Sequence, residues 1–295
     1  YPQEHMDFAY ENGCNALALT DHGHMNGLSY QVLHAKKMQA EGKRFKPLFG
    51  VEAYFTPSIE EWQKEYDASK EKKKNNISGG AVIEDENASK RGNLQDSTSN
   101  LLKKRNHLIL LAQDQTGLNN IFRLISESFK DENFYRYPRI DYKLLSLFSE
   151  GVIATSACLG GVYAGDYWDY RDDGDDAVLG AMRRTTERMQ AIFGDRWYGE
   201  LQWNNIPQQH ALNKHIIQVA KEYKVNLIST ADSHYPNPDA WRDRELYRRL
   251  GWLGKGGLPS WLDSELPEGV EEIGYELYPK NGDQKWESYK KYSEL

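Results

Sequence analysis

Six short apolar runs punctuate this sequence, and each is followed by a stretch with helical periodicity. The runs are Ala16 to Leu19, Pro47 to Phe55, Leu108 to Ala112, Val152 to Thr155, Trp197 to Gln202 and Asn226 to Ser229. Strand-length runs separated by helices predict an α/β chain built on a parallel sheet or barrel. The helices are legible too. Leu118, Ile121, Phe122, Ile125 and Phe129 form one apolar stripe, and Leu212, Ile216, Val219, Ala220 and Tyr223 form another, so each should pack on the sheet. An earlier helix, from about Pro2 to Asn12, ends at Gly13, a left-handed C-cap leading into the strand at Ala16.

Residues 57–105 interrupt this rhythm. They contain KEKKKNN at Lys70 to Asn76 and SGG at Ser78 to Gly80, with little that a core would bury. They read as a solvated surface insertion, with a functional basic loop touching DNA as the alternative. The glycines, prolines and charged aromatic stretches after Gly251 read as a connector, which divides the chain into a barrel over 1–250 and a connector over 251–295. A chain of 295 residues with 39% hydrophobic residues supports a sizeable core as one unit or two. It begins at Tyr1 without methionine and reads as a fragment.

No run approaches the roughly 18 apolar residues of a membrane span, and no secretion signal is visible, so a cytoplasmic setting without membrane contact is expected. Cys14 and Cys158 are too few for a disulfide framework. The net charge of -7 excludes the broad basic footprint of a duplex-binding module, so nucleic acid contact must be local or metal-mediated.

The chemistry-bearing side chains cluster at strand ends. Asp21 and His22 follow the first run, Cys158 follows the fourth, and Asp232 and His234 follow the sixth. Barrel loops converge at those ends. Glu52 lies within its strand and His107 opens one, so these two must reach the mouth from within or before their strands. Imidazoles, carboxylates and a thiolate meeting at one mouth suit zinc, manganese or iron. Glu52 can bridge two cations and so clamp both oxygens of a phosphate ester during hydrolysis. Each residue alone has a duller reading as a loop or core side chain; their shared placement argues for a metal site. His24 could face the same mouth or solvent. His5, His34, His210 and His215 fall on helices and read as structural, Cys14 reads as core, and the parity of Glu200 stays open.

ALALTDHGHMNGL, PLFGVEAYF, NHLILLAQDQTGLNNIFRLIS, FYRYPRID, EGVIATSACLGG and STADSHY resemble, in order, successive motifs of the PHP (polymerase and histidinol phosphatase) domain in bacterial-type replicative DNA polymerase III alpha subunits. The likeness runs from about Tyr1 to Gly251, apart from the insertion. It implies a distorted (β/α)7 TIM-like barrel whose mouth holds up to about three divalent metals, zinc or manganese foremost. The family's ligands map onto His22, Glu52, His107, Cys158, Asp232 and His234. Asp21, His22 and Asp232 carry the catalytic roles, with Asp21 orienting an imidazole. The family pattern opens with a His-x-His strand that lies before Tyr1, so the first barrel strand is expected to be missing.

The resemblance further implies a metal-dependent phosphoesterase, a 3′-5′ exonuclease that proofreads a primer 3′ end inside a DNA-synthesising replication polymerase. The implied partners are DNA, the remaining polymerase domains, and the proofreading and sliding-clamp subunits. The competing reading is a catalytically silent structural domain that docks polymerase partners. A free-standing small-molecule phosphatase fits FYRYPRID and SACLGG less well.

Overall fold

The computed structural model describes residues 1–77, 104–204, 207–237, 240, 243 and 250. Its sheet is organised by the ten-residue strand β2 (Lys46–Phe55). On β2 the odd residues Val51, Ala53 and Phe55 enter the main core, so by the two-residue period of a strand Glu52 and Tyr54 face the other way. The same split divides β3 (Asn106–Ala112), where Leu108 and Leu110 are fully buried in the core and His107 falls on the opposite face.

The remaining strands are β1 (Ala16–Leu19), β4 (Phe134–Tyr135), β5 (Tyr137–Ile140), β6 (Val152–Thr155), β7 (Trp197–Gln202) and β8 (Asn226–Thr230). Among the described residues they form one sheet in the order β4-β5-β2-β3-β6-β7-β8, with β1 pairing on β2. The result is α/β, a curled half-barrel of the distorted-barrel class expected. All six predicted runs are strands, with ends displaced by no more than two residues.

The helices are α1 (Pro2–Glu11), α2 (Leu28–Ala40), α3 (Ile59–Ile77), α4 (Gln115–Ser128), α5 (Tyr142–Leu147), α6 (Val162–Tyr170), α7 (Asp175–Phe193) and α8 (Pro207–Tyr223). Leu212, Ile216, Val219 and Ala220 of α8 join the main core as their stripe predicted. Of the α4 stripe, Ile121 is buried in the core and Ile125 packs against it, but Phe122 and Phe129 are exposed and Leu124, outside the predicted stripe, is buried instead. Asp114 caps α4 by accepting from the Gly117 N–H at 2.8 Å. Gly13 has φ +88°, the left-handed cap anticipated after α1.

Three expectations need correction. The sheet is mixed rather than parallel, because β3 runs antiparallel to both β2 and β6. Residues 57–105 are not a loop from their start: α3 begins at Ile59, and Ile59 and Trp62 are buried. Its charge-rich composition hid an apolar foothold at its first turns. Asp141 fastens that foothold by accepting from the Ile59 N–H at 3.1 Å while capping α5 through the Leu144 N–H. Cys14, read as core, is exposed. The rest of the predicted insertion, 78–103, and the predicted connector, 251–295, lie outside the described residues.

Candidate metal centre

The direction of β3 explains how His107 reaches the mouth. An antiparallel strand starts where its parallel neighbours finish, and His107 pairs with Tyr54 near the end of β2. His107 is held there by donating its backbone N–H to the Gly160 carbonyl at 2.7 Å. His22 is placed by an extra rung beyond β1. The Glu52 N–H donates to the Asp21 carbonyl at 3.0 Å, and the Gly23 N–H donates to the Glu52 carbonyl at 2.8 Å. Backbone bonds therefore set the imidazole of His22 beside the carboxylate of Glu52 without any side-chain contact being needed.

Glu52 is 4% exposed, and its two oxygens divide between two rings. Oε1 lies 2.5 Å from His107 Nδ1, and Oε2 lies 3.4 Å from His22 Nδ1. Donor atoms of these three residues all fall within 4.8 Å of one another. Cys158 adds a thiol whose Sγ is 3.5 Å from His107 Nδ1. The turn that brings it there is tight. Ala157 adopts φ +59°, and a Cβ on Gly161 would stand 1.9 Å from the Ser156 carbonyl oxygen, so only glycine fits.

His234 extends the cluster on its other side, with its ring centroid 6.0 Å from that of His22. Asp232 lies next to it, its Oδ1 3.5 Å from His234 Nδ1, and its backbone is left-handed at φ +48°. The six predicted ligands thus fall in two tiers. His22, Glu52 and His107 form the tight group, with Cys158 against His107, while Asp232 and His234 form a pair alongside. Asp21 holds the loop, accepting from the Gly27 N–H at 2.8 Å, and its Oδ2 is 4.0 Å from His24 Nδ1.

Electrostatics at the centre favour protons or cations. Burial opposes charge on His107, but its bonds to Cys158 and Glu52 outweigh that and push its pKa up to about 10. A buried carboxylate facing two imidazoles and a thiol is a donor set that suits a borderline divalent ion such as zinc or manganese.

Two features escaped sequence reasoning. The Tyr54 ring stacks on His22 at 6.3 Å and meets His107 edge-on at 5.6 Å, walling the cluster. Its parity with Glu52 was the available signal. Glu200 proves to face inward, 4% exposed, and it accepts from Thr155 Oγ1 at 2.5 Å, from Gln202 Nε2 at 3.0 Å and from Thr230 Oγ1.

The sequence profile of the PHP domain matches residues 1–204. The DNA polymerase III subunit alpha of Aquifex aeolicus is 37% identical over 78% of this chain, and those of Borreliella burgdorferi and Thermus aquaticus are each 32% identical, over 86% and 78%. The chain spans only 16%, 18% and 15% of those relatives' lengths. A crystal structure assigned as a metal-dependent phosphoesterase of Bifidobacterium adolescentis aligns over 80% of this chain and 84% of its own, at 13% identity and a TM-score of 0.36. Among the described residues no helix is long and apolar enough to cross a membrane. With the profile covering most of its length, the chain belongs to the PHP domain family.

Proposed function

We propose that this chain is the metal-dependent phosphoesterase module of a cytoplasmic replicative DNA polymerase, removing nucleotides from a DNA 3′ end as a 3′-5′ exonuclease. The observation that carries this reading is the meeting of His22, Glu52 and His107 within 4.8 Å, from the rung beyond β1, the interior of β2 and the start of β3. His22, Glu52 and His107 would hold zinc or manganese there, and the ion would supply Lewis acidity and make a water more acidic. Both oxygens of Glu52 are offered, one to each side of the cluster. His22 and His107 bind as neutral rings, so His107 must first release the proton that Glu52 and Cys158 favour. Cys158, Asp232 and His234 complete the donor set, and Tyr54 excludes water from one flank. Asp21 keeps the loop carrying His22 and His24 in place through Gly27. The polymerase relatives support DNA and the remaining polymerase domains as partners, with proofreading and sliding-clamp subunits as further candidates.

The test is degradation of a 5′-labelled oligonucleotide by the full-length protein with added manganese or zinc, alongside metal analysis. His22→Ala and Asp232→Ala should each abolish product and lower bound metal. Undiminished degradation by either variant would assign the activity to a contaminant and sink the reading.

A further inference from the structure

From His107 and Tyr54 of the metal cluster, the same face of the sheet carries a row of rings and cations on into residues that the hydrolytic chemistry does not use. Tyr54 pairs with His107 on one side and with Arg139 on the other, so the three side chains share a face. From His107 the row runs through Tyr54 to Tyr137, whose ring is 5.0 Å from that of Tyr54. Arg105 lies over the Tyr137 ring at 3.9 Å, and Arg139 over Trp62 at 4.3 Å.

Among the described residues no ion pair joins Arg105, Arg136 or Arg139 to a carboxylate, and the Nε of Arg139 is buried without a hydrogen-bond partner. Arg139 is 3% exposed, so an aromatic stack has taken the place of the carboxylate that a buried guanidinium ordinarily needs. The hairpin joining β4 and β5 turns at Arg136, which holds φ +60°. That conformation strains a residue with a Cβ, and glycine would adopt it freely. An exposed arginine has nonetheless been set at the tip.

We propose that Tyr54, the start of β3 and the β4–β5 hairpin form a track for single-stranded nucleic acid, which binds without metal and leads a strand end to Glu52. The exposed guanidiniums of Arg105 and Arg136 contact successive phosphates, and the tyrosine rings receive unstacked bases, a combination that suits single strands and leaves a duplex poorly bound. That the strand end is cleaved on arrival rests on the phosphodiesterase reading; the binding does not.

The test is fluorescence anisotropy of a short labelled single-stranded oligonucleotide with the full 295-residue chain in EDTA, where hydrolysis is silent. Combined Arg105→Ala and Arg136→Ala, both at exposed positions, should weaken binding about tenfold and flatten the salt dependence by about 1.4 in log-log slope. Tyr137→Ala should weaken it about fivefold with the slope unchanged. Circular dichroism confirms that each variant is folded. Unaltered affinity in these variants, or equal affinity for duplex or for an abasic strand, overturns the track. Hydrolysis with manganese, assayed separately, reports on the metal centre, so either proposal can fail while the other stands.

Discussion

Glu52 and Glu200 face the same side of one sheet, each 4% exposed, yet their surroundings differ in kind. The oxygens of Glu52 face imidazole nitrogens of His22 and His107. Those of Glu200 accept from the hydroxyls of Thr155 and Thr230 and from the Gln202 amide. Hydroxyl and amide donors occupy the oxygens of a carboxylate and offer no lone pairs toward a shared cation. Imidazoles hold a proton toward it, and once neutral they turn lone pairs to the same point in space. Burial of an acid therefore does not identify a ligand; the identity of what surrounds it does.

The sharpest way to break this distinction is to neutralise each glutamate without changing its size. Glu52→Gln should lower affinity for zinc or manganese by more than about a hundredfold and oligonucleotide hydrolysis by roughly three orders of magnitude. Glu200→Gln should leave both within about tenfold of the parent. Metal titration followed by single-turnover hydrolysis checks the pair, and equal losses in the two variants would erase the contrast.

Much of this contrast was legible in the sequence, and the illegible part has definite causes. Strand-length runs placed β1, β2, β3 and β6 to β8 because their core-facing residues are strongly apolar. Four of the six candidate ligands were visible as polar residues just after strands, with Glu52 inside a strand and His107 opening one. Their division into tiers was not, since it depends on the reversed direction of β3 and on the extra rung that sets His22 beside Glu52. Neither leaves a mark on local periodicity. β4 and β5 total six residues, too few for a pattern, and α3 was masked by lysines and glutamates around Ile59 and Trp62. Glu200 stayed undecided because WYGELQ lacks a clean alternation from which to read its side.

A smaller effect sharpens the inner tier. Cys158 touches His107, its Sγ also accepting from the Gly160 N–H at 3.3 Å. Cys158→Ser keeps an acceptor of similar reach but removes the soft donor. Metal affinity should fall by about 10- to 100-fold, more for zinc than for manganese, because thiolate favours the softer ion. Competitive titration of the two metals reads the ratio. An equal loss for both would remove Cys158 from the donor set and leave it as a packing residue.

The smallest expected effect concerns Glu200 alone and is read in metal-free protein. Burial raises its pKa above the ordinary 4.5, and the nearby Asp232 carboxylate adds to the rise, only partly offset by Thr155, Thr230 and Gln202. The folded protein therefore holds this proton more tightly than the unfolded chain does. That contribution to stability is complete below the unfolded value and disappears as pH climbs through the raised folded value. Glu200→Gln carries no titrating proton, and its amide can still accept from a threonine hydroxyl while donating to another oxygen. Its melting temperature relative to the parent should thus increase as pH climbs from the ordinary 4.5 through the raised folded value. The gain should reach roughly 2–4 °C for each kcal/mol of charge burial relieved. Thermal unfolding across that range in EDTA measures the gap. A gap that stays constant would mean Glu200 is charged throughout, its hydroxyl and amide donors having fully offset burial. The two glutamates would then differ in their partners alone, and no longer in the cost of holding a charge.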